Sequence, residues 1–207
     1  NYEFKKKGVK DMNCSELTQG LVAAKCNSTE TAGAEDKVYL LNFSDIDRQG
    51  STVVNNVITG IKLVKRNNVQ MLGFAFETFG KSLKDAGATF AKGTYSNMWQ
   101  HNVTLRVFVK KEESKTFANQ LAAGAKIVAV IKNRATGANG EVTFEAYGWD
   151  NGLELSESAN ILEFADSVVY TLTLSSPEGT QEGSLPKSVF KTSVADTETM
   201  LEGLLTA

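Results

Sequence analysis

The side chains able to do chemistry are few and scattered. The single histidine, His101, stands in Asn97-Met98-Trp99-Gln100-His101-Asn102. No Asp, Glu or Cys is close to it in sequence, so an acid–base or triad scheme has no second member. A surface or sheet-edge histidine is expected. Cys14 and Cys26 are the only cysteines. Zinc needs about four N/S ligands, and only His101 could join that pair. A local disulfide or two buried thiols is expected, and no metal. Asp45-Ile46-Asp47 begins like a calcium loop, but the residues after Gly50 lack the spaced carboxylates and the closing Glu. Gly137-Ala138-Asn139-Gly140 lacks the Gly-Lys-Ser/Thr ending of a phosphate loop and reads as a hairpin turn. Glu154, Glu157 and Glu163 have no partner set and read as surface carboxylates. The expectation is a protein that is not an enzyme and carries no cofactor. Tyr95, Trp99, Tyr147 and Trp149 suit a contact surface, since aromatic side chains anchor interfaces, and they suit a core equally well.

The elements that must position these residues centre on Thr94 to Leu155. Val103, Leu105, Val107 and Val109 alternate with Thr104, Arg106, Phe108 and Lys110, which predicts a half-buried strand. A helix follows over 111–123. Phe117 and Leu121, with Ala118 and Ala122, form its apolar stripe, Glu112 and Glu113 suit its N-terminal dipole, and Gly124 suits a left-handed C-cap. Lys126–Lys132 is apolar on both faces and should be a central strand. Asn139-Gly140 and Asn151-Gly152 then mark turns on either side of Glu141–Trp149.

Outside this unit, Val38–Phe43 reads as a buried strand, and 53–77 as one hairpin turned by Arg66-Asn67-Asn68. Residues 78–93 carry three glycines and read as an irregular connection. One of that length is a plain surface loop or an extended arm ordered by a partner. Ala165–Leu174 reads as a strand, 175–187 as a loop, and 195–205 as a short helix. Ser193 and Asp196 resemble its capping box, and Met200, Leu201, Leu204 and Leu205 dock it on the core. Many strands and few helices favour a mainly β fold, a β-sandwich or barrel-like body with one flanking helix and a short C-terminal helix. The expected organisation is an N-terminal arm over 1–36, a β-rich core over 37–175, and a C-terminal loop and helix over 176–207.

The chain has 207 residues, 42% of them hydrophobic, enough for one real core. A net charge of −2 gives no nucleic-acid footprint, and Lys5-Lys6-Lys7 and Lys110-Lys111 are short enough to be solvated surface. No run approaches the ~18 apolar residues of a membrane span. The first residue is not Met, so the start is expected to be processed, trimmed or incomplete, or to lie at Met12.

Several stretches share an order with a known family. These are Tyr95, Thr104-Leu105-Arg106-Val107-Phe108, the lysine-containing helix, Ile127-Val128-Ala129-Val130 and Gly148-Trp149-Asp150-Asn151-Gly152-Leu153. Asn13-Cys14, Lys25-Cys26 and Val38-Tyr39-Leu40-Leu41-Asn42 add to them. Over roughly residues 12–175 the chain resembles tail-tube-like virion proteins of tailed phages of gut Bacteroidales, including crAss-like phages. It departs from them in an elongated 78–93 stretch and in the segment after Leu174. The resemblance implies a virion structural protein made in the bacterial cytoplasm. Such a subunit self-assembles into a homo-oligomeric ring of a tail tube or head–tail connector and touches other virion proteins, without an active site or sequence-specific nucleic-acid binding. A capsid-associated position is also compatible. Phe79, Leu83, Phe90, Tyr95 and Trp99 are the expected subunit contacts. The competing reading is a cell-surface or carbohydrate-binding β-sandwich module, which requires Trp99, Trp149 and Tyr147 exposed on one face.

Overall fold

The computed structural model describes residues 33–77, 82–93, 96–108, 111–160 and 170–206. Thirteen strands and two α-helices are defined among them, with a 3-10 turn at Phe43–Asp45. The strands are β1 (Ala34–Asn42), β2 (Thr52–Val54), β3 (Val57–Gly60), β4 (Lys65–Arg66), β5 (Val69–Gln70), β6 (Phe74–Phe76), β7 (Leu83–Lys92), β8 (Asn97–Val107), β9 (Ile127–Asn133), β10 (Phe144–Tyr147), β11 (Glu154–Asn160), β12 (Tyr170–Ser175) and β13 (Lys187–Val189). The helices are α1 (Glu112–Ala122) and α2 (Val194–Gly203). Seven strands form one sheet in the order β2-β3-β13-β10-β9-β1-β6, four form a second in the order β11-β12-β8-β7, and β4 and β5 make a small separate ribbon. The fold is mainly β and is not a closed barrel.

The two sheets face each other across one core. Val38, Leu40, Ile127, Ala129 and Ile131 of the larger sheet meet Val103, Leu105, Val107, Leu172 and Leu174 of the smaller. The opposite face of the larger sheet is also buried. Tyr39, Leu41, Val128, Val130, Phe144 and Ala146 lie there under Leu201 of α2 and under Ile46, Ile61 and Leu63. Burial on both faces explains why Val38–Leu41 of β1 and Ile127–Ile131 of β9 are apolar without alternation. The smaller sheet has one buried face, and the strict alternation along β8 follows from that.

Both helices carry their expected signals. Gly124 is left-handed at φ 94°, and the bonds Gly124 N to Leu121 O and Ala125 N to Gln120 O close a Schellman cap after α1. Phe117, Ala118 and Leu121 pack into the inter-sheet core, with Phe76 and Phe117 stacked at 5.4 Å, while Ala122 is exposed. Ser193 Oγ accepts the Asp196 N–H at 3.1 Å and caps α2. Lys37 Nζ and Tyr39 Oη both donate to Glu202 Oε1, at 2.5 and 2.6 Å, which ties α2 to β1.

Several expectations are corrected. Residues 83–92 are not an irregular arm. They form β7, which runs antiparallel along β8 from Leu83↔Leu105 to Lys92↔Asn97. Small residues and a glycine hid it, because an edge strand with one packed face needs few large side chains. Residues 53–77 are not a single hairpin. Asn55 and Asn56 have φ of 49° and 67°, so they turn β2 back onto β3. Asn67 and Asn68, at φ 50° and 65°, repeat that turn between β4 and β5. Gly73 lies between β5 and β6, where a Cβ would come within 2.5 Å of Leu41 Cδ2. Loop 175–187 ends in a further strand. β13 enters the larger sheet between β10 and β3, antiparallel to the former and parallel to the latter.

Candidate functional site

The expected contact residues divide into three groups. Phe79 and Tyr95 lie outside the described residues, as do Cys14, Cys26 and Glu163. Leu83 packs against the inter-sheet core. Phe90 and Trp99 come together on the β7–β8 hairpin, as directly paired residues whose rings meet edge to face at 5.4 Å. Phe90 is 51% exposed and Trp99 is half-buried. Hairpin pairing alone creates this patch, and neither residue's immediate sequence neighbours announce it.

His101 contradicts its expectation most sharply. It is 1% exposed, not a surface or edge residue. On β8, which begins at Asn97 and so extends the expected strand N-terminally, it is buried in the alternating series with Val103, Leu105 and Val107. Its Nδ1 accepts the Gly148 N–H at 3.1 Å, and its Nε2 lies 3.0 Å from the Ser184 carbonyl oxygen. A backbone N–H can only donate, so Nδ1 carries the lone pair and Nε2 carries the proton. Burial holds this imidazole below the ordinary histidine range, against the opposing pull of the Ser184 carbonyl. The Tyr147 ring lies edge-on at 5.7 Å. Both ring nitrogens are occupied by backbone, which leaves none to move a substrate proton.

Glu182 completes the same buried cluster. It is 1% exposed, and its two carboxylate oxygens accept the N–H groups of Asp150 and Asn151 at 2.8 and 2.9 Å. Its own backbone exchanges two hydrogen bonds with Trp99, at 2.7 and 2.9 Å. Burial pushes its carboxyl upward, and the two backbone donors pull it back only in part. Lys187 bonds Asp150 Oδ2 at 2.8 Å beside it, and Arg48 lies over the rings of Trp149 and Phe43 at 4.6 and 4.7 Å. The 181–184 segment therefore straps β8 to the turn after β10. Gly148 and Gly152 make that turn possible, with φ of 72° and 82°.

Three of the remaining acidic candidates are occupied structurally. Asp45 pairs with Arg66 at 2.7 Å, Asp47 Oδ1 accepts the N–H groups of Gln49 and Gly50, and Glu154 pairs with Lys126 at 2.9 Å. Among the described residues no three His, Cys, Asp or Glu side chains gather around a metal-sized space. None of their helices is long and apolar enough to cross a membrane. A small apolar cavity of about 160 Å³ lies beneath α1, lined by Leu40, Phe74, Phe76, Phe117, Leu121 and Ile127.

No family model, curated protein or solved structure matches this chain. Tyr147 and Trp149 are 6% and 4% exposed, so the aromatic face required by a carbohydrate-binding module is not assembled.

Proposed function

We propose that this protein is a self-assembling structural subunit, of the kind that builds a phage tail tube or a head–tail connector ring, and that it acts in a virion beside other structural proteins. The observation that carries this reading is the four-stranded sheet β11-β12-β8-β7. Its outer strands, β7 and β11, span ten and seven residues, and neither has a second strand neighbour among the described residues. Neither contains proline. Long unpaired edges invite pairing with another chain, and the bulges at Leu83–Asp85 of β7 and Leu155–Glu157 of β11 lie near one end of each strand and leave the rest of its register regular. The β7 edge also presents Phe90 against Trp99. Joining β7 of one copy to β11 of the next is a heterologous contact, and such contacts close into rings when the rotation allows. The sequence resemblance to tail-tube-like proteins supports the same reading, as does a chemistry in which His101 and Glu182 are both spent on backbone. Electron microscopy of the purified protein tests it. Rings or stacked rings are expected, and a strictly monomeric protein at high concentration would overturn the proposal.

A further inference from the structure

We propose that His101 is an acid-released pin, which locks the smaller sheet to the β10–β11 turn and to the 181–185 strap while its ring is neutral and lets go when the ring is protonated. The inference goes beyond the assembly role and concerns the single chain in solution. It rests on donor geometry. The Gly148 N–H points at Nδ1 from 3.1 Å, and the Ser184 carbonyl takes the proton on Nε2 at 3.0 Å. A second proton on the ring would occupy Nδ1, so two donors would face each other across a buried contact. Either the Gly148 turn or the ring must then move.

The groups facing the pin do not relieve this. Lys187 of β13 opposes a positive ring, Asp150 of the turn favours it, and Asp150 is already engaged by Lys187 at 2.8 Å. Glu182 of the strap has both oxygens on backbone N–H groups, and the Tyr147 side chain of β10 offers its ring. Arg48 is stacked over Trp149 and Phe43. Burial depresses the imidazole's proton affinity, so the sign is fixed. The stability that the neutral ring supplies is complete above the ordinary histidine value of about 6.5. It is lost as pH falls from there toward the lowered folded value.

The chain carries its own reporters, because its two tryptophans, Trp99 and Trp149, flank the pinned contact in sequence. The test is long-range proton–nitrogen NMR of the one histidine ring on the full chain, from about pH 8 to about pH 4. Amide protection factors of Gly148 and tryptophan fluorescence are followed in the same samples. The ring is expected as the Nε2–H tautomer, titrating below about 6.5. Gly148 protection should fall as pH drops below about 6.5, by up to about tenfold per pH unit, and level off near the ring's own midpoint. In His101→Gln, whose amide can bridge the same backbone groups without titrating, that pH step should vanish. A ring in the Nδ1–H form would overturn the proposal, as would a wild-type titration that leaves Gly148 unchanged. If the Gln variant fails to fold, the wild-type ring and amide measurements still decide.

Discussion

At the residue scale, the fold consumes the buried polar side chains His101 and Glu182 as partners of backbone groups. Glu182 is the clearest case. Two oxygens meet two backbone donors, so removing the carboxylate strands the N–H groups of Asp150 and Asn151. Glu182→Ala is expected to lower unfolding stability by roughly 1–3 kcal/mol, read as a shift in the urea midpoint. An unchanged midpoint would show that the strap contributes nothing. The sequence offered no signal for this residue, which sits between Gln181 and Gly183 in a run that reads as loop. Its role depends on a partner turn some thirty positions away, and no local pattern records that. His101 differs, since its place in the alternating series His101, Val103, Leu105, Val107 put it on the buried face. The want of a partner nearby in sequence argued for the surface, whereas two backbone partners distant in sequence make burial tolerable.

At the element scale, the legible parts were those with one strong local cause. β9, α1 with its Gly124 cap, and α2 with its Ser193 cap follow from periodicity and capping chemistry. β2, β3 and β7 were obscured because their cause is not local. β7 is a strand through its pairing with β8, and its own composition of Gly, Ala, Lys and Asp resembles a loop. The β2–β3 turn was legible in principle, since Asn55-Asn56 repeats the Asn67-Asn68 signal. The apolar residues on either side, Val53, Val54, Val57 and Ile58, suggested an unbroken strand instead. Left-handed φ at a β-branched residue costs about 1–2 kcal/mol. Asn56→Val should therefore destabilise the protein by that order in chemical unfolding, whereas Asn56→Gly should be close to neutral. Equal effects of the two substitutions would contradict a left-handed turn here.

At the scale of the whole molecule, assembly and stability are expected to separate. Phe90 is exposed on β7, which has no second strand neighbour among the described residues, and lies away from both core clusters. Phe90→Glu should leave the circular dichroism spectrum of the single chain unchanged and lower its unfolding stability only by the roughly 0.2–1 kcal/mol of the cross-strand pair with Trp99. Sedimentation should nonetheless show the assembled fraction falling sharply. Assembly that persists in this variant would move the contact away from the β7–β8 hairpin. Mainly β character was readable from the strand-rich pattern, but the two-sheet division was not. β8 and β9 are joined by α1 yet belong to different sheets, and only packing decides that.

The position of β13 has a consequence for how the protein is made. Ser188 and Val189 are the link between β3 and the rest of the larger sheet, through the pairs Ser188↔Val57 and Val189↔Ile58. During synthesis the β2–β3 hairpin leaves the ribosome early, while its docking strand is still untranslated. Ile58, fully buried in the finished fold, must wait in contact with solvent or chaperone until then. A nascent chain arrested before Lys187 would therefore hold a half-built sheet, and the protein becomes whole only as this late strand slides into place.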